Sequence, residues 1–201
     1  IKTVAAKPRD SSLPDALYLI AVAQRYQRKL DHAGKTLREL LQLQPENARA
    51  WQERGHVCLS ENDLDKARTA YEQAVRRNPA LLASWKALIN LYGMAGLGEQ
   101  RALAEQEAAY LESLPEALLG VLSLVNEGRL YKADQLCRQF LRSNKQHVEG
   151  MRLLAMIGEQ LGVLMDAEFL LETALELEPG CPRLRYDYAN LLLKMQKFEK
   201  A

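Results

Sequence analysis

One glycine-rich segment has a composition that binds phosphate in other proteins. Residues Gly93–Gly98 read GMAGLG. A phosphate-binding loop of this kind follows a β-strand and ends in Lys-Ser or Lys-Thr. This segment follows a predicted helix and lacks that ending, so we expect a turn between two helices and no bound nucleotide or other cofactor.

A second segment, residues 61–65, reads ENDLD and has carboxylates at a spacing that resembles a calcium-binding loop. A calcium loop also needs a glycine at its sixth place for a sharp turn, and Lys66 stands there. Asparagine and aspartate are favoured residues at the start of helices. We therefore predict that Asn62 or Asp63 caps a helix.

The sequence offers no clustered metal ligands and no catalytic set. Its three cysteines are far apart and form no C-x-x-C pair: Cys58, Cys137 and Cys181. The histidines His32, His56 and His147 do not cluster with them in sequence. Free thiols indicate a reducing compartment. We therefore predict a cytoplasmic protein that is not an enzyme, with no catalytic residues, no metal and no cofactor.

The charge balance bears on the class of partner. Charged residues make up 26% of the chain and the net charge is +1. This gives no argument for nucleic acid or an anionic membrane as a partner. No stretch approaches the ~18 apolar residues of a membrane span. We expect a protein or peptide ligand, neither nucleic acid nor membrane.

The elements that position the side chains follow from an internal repeat. Trp51 and Trp85 are 34 residues apart, and so are Pro45 and Pro79. A 34-residue period is typical of stacked helical hairpins. Such arrays recognise partners along an extended surface.

An alanine marks the same period over the rest of the chain. It recurs at Ala33, Ala67, Ala133, Ala167 and Ala201, at intervals of 34, 66, 34 and 34. Prolines 79 and 179 are 100 apart, which is three periods less two. The array thus loses two residues near its middle. The predicted repeats are about 14–47, 48–81, 82–113, 114–147, 148–181 and 182–201, the last incomplete.

The residue types at fixed places resemble the tetratricopeptide repeat. Counted from Ala48, they are Trp51 (fourth), Gly55 (eighth), Ala67 (twentieth), Tyr71 (twenty-fourth), Ala74 (twenty-seventh) and Pro79 (thirty-second). Small residues let two helices approach, and proline stops the second helix. The resemblance implies an all-α fold, a right-handed superhelical α-solenoid of antiparallel helix hairpins, with about five full repeats and a truncated sixth.

The third repeat departs from the pattern. Arg101 stands where the alanine is expected and Glu105 where an aromatic is expected, while Ala102 suggests a one-residue slip. We expect altered packing over 96–114. Residues 1–13 form no clear repeat and are interpreted as a tether or partial helix. Because the chain stops within a hairpin, we also expect it to be a fragment of a longer protein.

The resemblance also implies which side chains face a partner. In the family, places 2, 5, 9, 12 and 13 of the first helix of each hairpin line an inner groove. The predicted binding residues are Arg49, Gln52, His56, Lys86, Asn90, Leu118, Leu122, Arg152, Tyr186 and Asn190. Lys86 and Asn90 resemble the first half of a clamp that holds a peptide C-terminal carboxylate. The fourth repeat is expected to add an apolar stripe of Leu118, Leu122 and Val125.

The last third has a narrower resemblance. GRLYKADQLCRQFL and the segments after it are similar to the repeat region of bacterial tetratricopeptide–sulfotransferase fusions. No phosphosulfate-binding loop is present in the sequence. The leading hypothesis is a scaffold that binds a peptide or protein in the groove. The alternatives are an accessory region of a sulfotransferase, and a module that self-associates through the groove or open repeat ends.

Overall fold

The computed structural model describes residues 12–198, which form eleven α-helices and no strand. The predicted tether therefore lies almost wholly outside the described residues, as does Ala201. The helices are α1 (Ser12–Tyr26), α2 (Leu30–Leu43), α3 (Ala48–Ser60), α4 (Leu64–Arg77), α5 (Leu82–Met94), α6 (Gly98–Ser113), α7 (Glu116–Asn126), α8 (Leu130–Ser143), α9 (Val148–Gln160), α10 (Leu164–Leu177) and α11 (Pro182–Lys194).

The helices pair into antiparallel hairpins. The odd-numbered helix of each pair is called helix A and the even-numbered one helix B. α3, α5, α9 and α11 each have 13 residues, while α2, α4, α8 and α10 each have 14. The predicted α-solenoid of helix hairpins is confirmed.

A left-handed backbone residue marks every turn from helix A to helix B. The residues with positive φ are Arg28, Asn62, Gly96, Gly128, Gly162 and Gln196. Their intervals are 34, 34, 32, 34 and 34, so the two-residue loss lies between Gly96 and Gly128. There α6 has 16 residues, α7 has 11, and only Leu114 and Pro115 connect them.

Both sequence segments considered for ligand binding lie at these turns. GMAGLG contains the turn from α5 to α6, with Gly96 at φ 70°. In ENDLD, Asn62 supplies the left-handed turn residue, and the Asp63 side chain accepts a hydrogen bond from the Lys66 backbone N–H. The predicted helix cap is therefore Asp63.

The hairpins close on small residues. The recurring alanines Ala33, Ala67, Ala133 and Ala167 are all 0% exposed. In α3, a Cβ added at Gly55 would lie 2.6 Å from Cε1 of Tyr71 on α4, a distance that real Cβ atoms do not show. Glycine at the eighth place is thus what allows the fully buried tyrosine at the twenty-fourth.

A side-chain hydrogen bond links each Trp–Pro pair. The indole N–H of Trp51 donates to the carbonyl of Pro45 at 2.9 Å, and that of Trp85 donates to the carbonyl of Pro79 at 2.8 Å. Nε of Arg185 makes the same contact with the Pro179 carbonyl at 2.9 Å. The repeat pattern predicts that both indoles are buried between successive repeats, but both tryptophans are only partly buried, and their hydrogen bonds to proline lie at the surface.

The third repeat packs through a different alanine from the one expected. Arg101 and Glu105 are exposed and form an ion pair at 2.8 Å. Ala102 is also exposed, whereas Ala104 is 0% exposed and packs with the cluster that contains Leu88. The one-residue slip suggested by Ala102 is therefore wrong.

The chain divides into two compact units, with the boundary between Ala109 and Tyr110 inside α6. In the N-terminal unit, one core cluster joins α1, α2 and α3, and another joins α4, α5 and the first part of α6. In the C-terminal unit, a cluster joins α9, α10 and α11.

The Gly55–Tyr71 contact predicts opposite effects at two helical glycines. Gly55→Ala should lower the free energy of unfolding by about 1–3 kcal/mol, since the new methyl group overpacks the interface. Gly34→Ala is the control: no atom lies within 4 Å of its added Cβ, so better helix propensity should raise stability by about 0.5–1 kcal/mol. Urea unfolding measures both. Equal effects at the two sites would contradict this account of the hairpin.

The indole–carbonyl bond predicts a graded loss at Trp51. Trp51→Phe removes the N–H donor together with one of the two indole rings, and should cost about 1–2 kcal/mol. Trp51→Ala also removes the ring and should cost about 2–4 kcal/mol, below the usual cost for a fully buried tryptophan. Urea unfolding of Trp85→Phe and Trp85→Ala should show the same graded loss, since Trp85 makes the equivalent hydrogen bond. A phenylalanine variant as stable as the wild type would show that the bond contributes nothing.

Candidate partner-binding faces

Five of the sequence-predicted residues lie on two adjacent A helices of the N-terminal unit. Arg49, Gln52 and His56 are on α3, and Lys86 and Asn90 are on α5. These five side chains are called the N-terminal face. Arg49, Lys86 and Asn90 are exposed, while Gln52 and His56 are half-buried. The face therefore combines solvent-exposed side chains with half-buried side chains that contact neighbouring helices.

Gln52 is held by the neighbouring A helix. The hydroxyl of Ser84, which is 0% exposed, donates to Oε1 of Gln52 at 3.1 Å. Because the amide oxygen is engaged, the NH₂ group of Gln52 remains to donate to a ligand. The bond also joins α3 to α5, so the two rows of polar side chains keep a defined spacing.

His56 is held by its own helix B. Its Nδ1 lies 2.7 Å from the hydroxyl oxygen of Tyr71, and the two rings meet edge to face with centroids 5.4 Å apart. Burial lowers the pKa of the imidazole below its usual 6.5, although the negative charge of Glu53 acts in the opposite direction. Above pH 6.5 His56 is therefore a neutral group fixed in orientation.

An ion pair that sequence reasoning missed lies beside this face. Glu53 on α3 is 6% exposed, and Nε of Arg25 on α1 donates to its carboxylate at 2.7 Å. A buried carboxylate needs such a partner, because removing either charge leaves the other uncompensated. The sequence offered one clue, a charged residue among the apolar and small places of α3.

The predicted apolar stripe on α7 is wrong for two of its three residues. Leu118 is 0% exposed and Val125 is 9% exposed, so both belong to the core; Leu122 is half-buried. The sequence predicts that the fourth repeat begins at residue 114, but its first helix, α7, begins at Glu116.

Counting from the actual helix start explains both burials. Leu118 is then at the third place, which is also buried in α3, α5, α9 and α11: Ala50, Ser84, Gly150 and Leu184. Val125 is at the tenth place, where buried residues again recur: Val57, Leu91, Ile157 and Leu191. The shortened helix therefore presents different residues from those that the uniform period predicts.

Arg152 is likewise a buried structural residue and not an accessible groove residue, at 8% exposed. On α9 its Nε and Nη2 donate to Glu149 at 2.9 and 2.6 Å, and Nη1 donates to Asp187 on α11 at 2.8 Å. Tyr110, in α6, lies 3.1 Å from Nη2 and donates to Glu149 at 2.5 Å. Every branch of the guanidinium is thus occupied.

This network also restrains the groups beside it. Burial, followed by the hydrogen bond to Glu149, raises the pKa of Tyr110 to about 12. The guanidinium of Arg183 lies over the Tyr110 ring, 4.0 Å from its centroid. No sequence signal indicated Tyr110, because its partners lie 39 and 42 residues further along the chain.

The sequence-predicted binding residues of the C-terminal unit that are exposed, Tyr186 and Asn190, lie on α11. Tyr186 is 69% exposed, and Arg183 and Asn190 are exposed on the same helix. These three residues are called the C-terminal face. Lys194 extends it, with its ammonium 3.2 Å from Glu159 on α9. Tyrosine and arginine are residue types that often anchor interfaces.

Metal binding, thiol reactivity and membrane insertion have little support within residues 12–198. No group of three or more His, Cys, Asp or Glu side chains is placed to hold a metal ion there. Burial raises the pKa of the Cys58 and Cys137 thiols, the latter to about 12, which disfavours the reactive thiolate. None of the described helices combines the length and hydrophobicity that crossing a bilayer requires.

The buried imidazole predicts a loss of stability in mild acid. Since the folded-state pKa of His56 is depressed, the unfolded chain binds more protons below pH 6.5, and stability must fall as the pH drops through that range. The fall in unfolding free energy between pH 7.5 and 5.5 should be smaller in His56→Gln than in the wild type. Parallel pH profiles for the two proteins would contradict the assignment.

The chain is similar to known repeat proteins. Anaphase-promoting complex subunit 3 of Schizosaccharomyces pombe is 22% identical over 163 residues, which are 78% of this chain and 24% of that protein. The chain thus spans about a quarter of that relative's length.

Solved structures are also similar. A thermophilic TPR protein of Thermus thermophilus has 22% identity and a TM-score of 0.44 over 90% of this chain and 99% of its own. A tetratricopeptide repeat protein from Parabacteroides merdae has 14% identity and a TM-score of 0.49 over 96% and 76%.

Family profiles described as tetratricopeptide repeat match residues 18–81 and 164–201, together just over half of the chain. The narrower resemblance to sulfotransferase fusions is not shown by these matches and stays a prediction, as do a bacterial origin and a cytoplasmic location. With its hairpins, turn positions and helix lengths, the chain belongs to the tetratricopeptide repeat family.

Proposed function

We propose that this protein is an interaction scaffold that binds an extended peptide with a free carboxylate on its N-terminal face. The observation that carries the proposal is the concentration of hydrogen-bond donors on α3 and α5. Arg49 and Lys86 bring positive charge, and the amides of Gln52 and Asn90 bring neutral donors. Donors in this number suit a ligand rich in carbonyl and carboxylate oxygens.

Hydrogen bonds from neighbouring side chains already fix two residues of the face, which favours binding without rearrangement. Ser84 holds the oxygen of Gln52, and Tyr71 holds His56. Side chains that are already ordered lose less conformational entropy when a ligand binds. Lys86 and Asn90 are one helical turn apart on α5 and can therefore contact the same carboxylate.

The C-terminal face supplies a second contact in this proposal. Tyr186 can cover an apolar ligand side chain, and Arg183 and Asn190 can donate to its backbone. The C-terminal face is thus a separate candidate contact surface within its own unit.

Fluorescence polarisation with a library of C-terminal pentapeptides, each prepared as the free acid and as the amide, tests the proposal. The best free acid should bind at least about tenfold more tightly than its amide, in line with the energy of a charge-assisted hydrogen bond. Lys86→Ala and Asn90→Ala should remove most of that difference. Lys35→Ala, on the exposed side of α2, is the control and should keep it.

Thermal unfolding of the same variants separates loss of binding from loss of structure. Because Lys86 and Asn90 are exposed, both variants should melt close to the wild type. Acids and amides that bind equally well would contradict carboxylate recognition. Full binding by the Lys86→Ala variant would remove this lysine from the site.

A further inference from the structure

Two consecutive B helices of the C-terminal unit carry opposite charges at equivalent places. Lys132, Arg138 and Arg142 lie on α8, and Asp166, Glu172 and Glu176 follow each of them by 34 residues on α10. Between residues 162 and 182 there is no lysine, arginine or histidine. One helix is therefore basic and the next is acidic on the same side of the repeat.

The buried residues of the two helices show that these places face the same way. Ala133 and Ala167 are both 0% exposed, and Cys137 and Leu171 are also buried. The charged residues have the same offsets from these buried positions in both helices. The pKa of Arg138 is raised, mainly by its hydrogen bonds to Asp134, with a further contribution from the charge of Asp166.

Several of these charges are available to a partner. Lys132, Arg142, Asp166 and Glu176 are exposed, and no salt bridge within residues 12–198 engages them. Arg138 and Glu172 differ, since the former pairs with Asp134 at 2.9 Å and the latter accepts from Tyr188 at 2.6 Å. The four accessible groups form two pairs of opposite charge, Lys132 with Asp166 and Arg142 with Glu176, and the members of each pair occupy the same place in successive repeats.

The same surface also exposes large apolar side chains. Tyr131 is 79% exposed on α8, and Met165 and Phe169 are 67% and 68% exposed on α10. A shallow depression of about 320 Å³ lies on α8, lined by Asp134, Gln135, Arg138, Gln139 and Arg142. Phe169 on α10 occupies the same repeat place as Gln135 on α8, and Gln135 lines that depression. We call the exposed sides of α8 and α10 together the α8–α10 face.

We propose that the α8–α10 face binds the same face of a second copy of this chain. A two-fold axis between the two helices and parallel to them places each α8 over the α10 of the other copy. Lys132 then faces Asp166, and Arg142 faces Glu176, at the same height along the helices. The symmetry forms both contacts twice and closes the assembly as a dimer.

The apolar residues follow the same arrangement. Phe169 of each copy lies over the depression beside Gln135 of the other, and Tyr131 lies over Met165. This surface is separate from the groove and from the open repeat ends, through which the sequence predicted self-association. It is also separate from the proposed peptide-binding faces, which lie on helices A.

The size of the face sets the concentration range of the test. A 14-residue helix is about 21 Å long and about 10 Å wide, so two helices give a face of about 400 Å² per copy, which is the size of a weak, transient interface. We therefore expect a dimer in the micromolar range, best followed by sedimentation velocity up to several hundred micromolar. Because exposed charges dominate the contact, the dissociation constant of the dimer should rise about tenfold between about 50 and 500 mM NaCl.

Charge reversal gives the decisive test. The double variant Lys132→Glu, Arg142→Glu places negative charge at these positions on both helices, and Asp166→Lys, Glu176→Lys places positive charge at them on both. Each should be monomeric by itself at concentrations where the wild type is dimeric. An equimolar mixture should restore the dimer, since each acidic helix then faces a basic one in both contacts. Arg76→Glu on α4, also exposed, is the control and should dimerise as the wild type does.

Three outcomes would overturn the proposal. A wild-type protein that stays monomeric throughout the range shows that the face does not self-associate. Reversed variants that dimerise like the wild type place the contact elsewhere, at the groove or repeat ends. A mixture that stays monomeric, while circular dichroism shows both variants folded, excludes the paired arrangement. None of these results depends on the peptide-binding proposal.

Discussion

Close packing of two helices across a small residue is the constraint on which the rest of this structure depends. At Gly55 the absence of a Cβ leaves room for the ring of Tyr71, and the buried alanines do the same in other hairpins. This contact sets the distance between helices A and B. Together with a left-handed residue at every turn, it makes equivalent places in successive repeats point the same way.

Buried polar groups then fix how neighbouring A helices align within each unit. Arg25 and Glu53 join α1 to α3, and Arg152 joins α9 to α11 through Asp187. An unpaired buried charge is far more costly than a paired one. Such contacts therefore favour one alignment of the helices over others, and they hold the exposed side chains at defined spacings.

The two sides of the hairpins consequently differ in what they offer. The A helices carry donors supported by hydrogen bonds, which suits recognition of a peptide. In the C-terminal unit, the B helices carry complementary charges at equivalent places, which suits contact with an identical surface. A dimer formed through helices B would present two copies of the C-terminal face, which lies on a helix A of the same unit, so a multivalent partner would bind with higher avidity.

The sequence by itself determined the hairpin architecture, the 34-residue period, the two-residue loss and a helix cap at Asn62 or Asp63. Each depends on local backbone preference or on a contact between places at a fixed separation, as with Trp51 and Pro45. Such features recur in successive repeats, so one chain shows each of them several times.

Only the tertiary structure decided which side chains reach solvent. Leu118 became a core residue because α7 begins two places late, and Arg152 became a structural residue because Tyr110 and Asp187 surround it. Exposure depends on atoms contributed by other helices, 35 and 42 residues away in these contacts. A repeat pattern specifies a residue's place in its own hairpin, but it does not specify what the neighbouring hairpin puts against it.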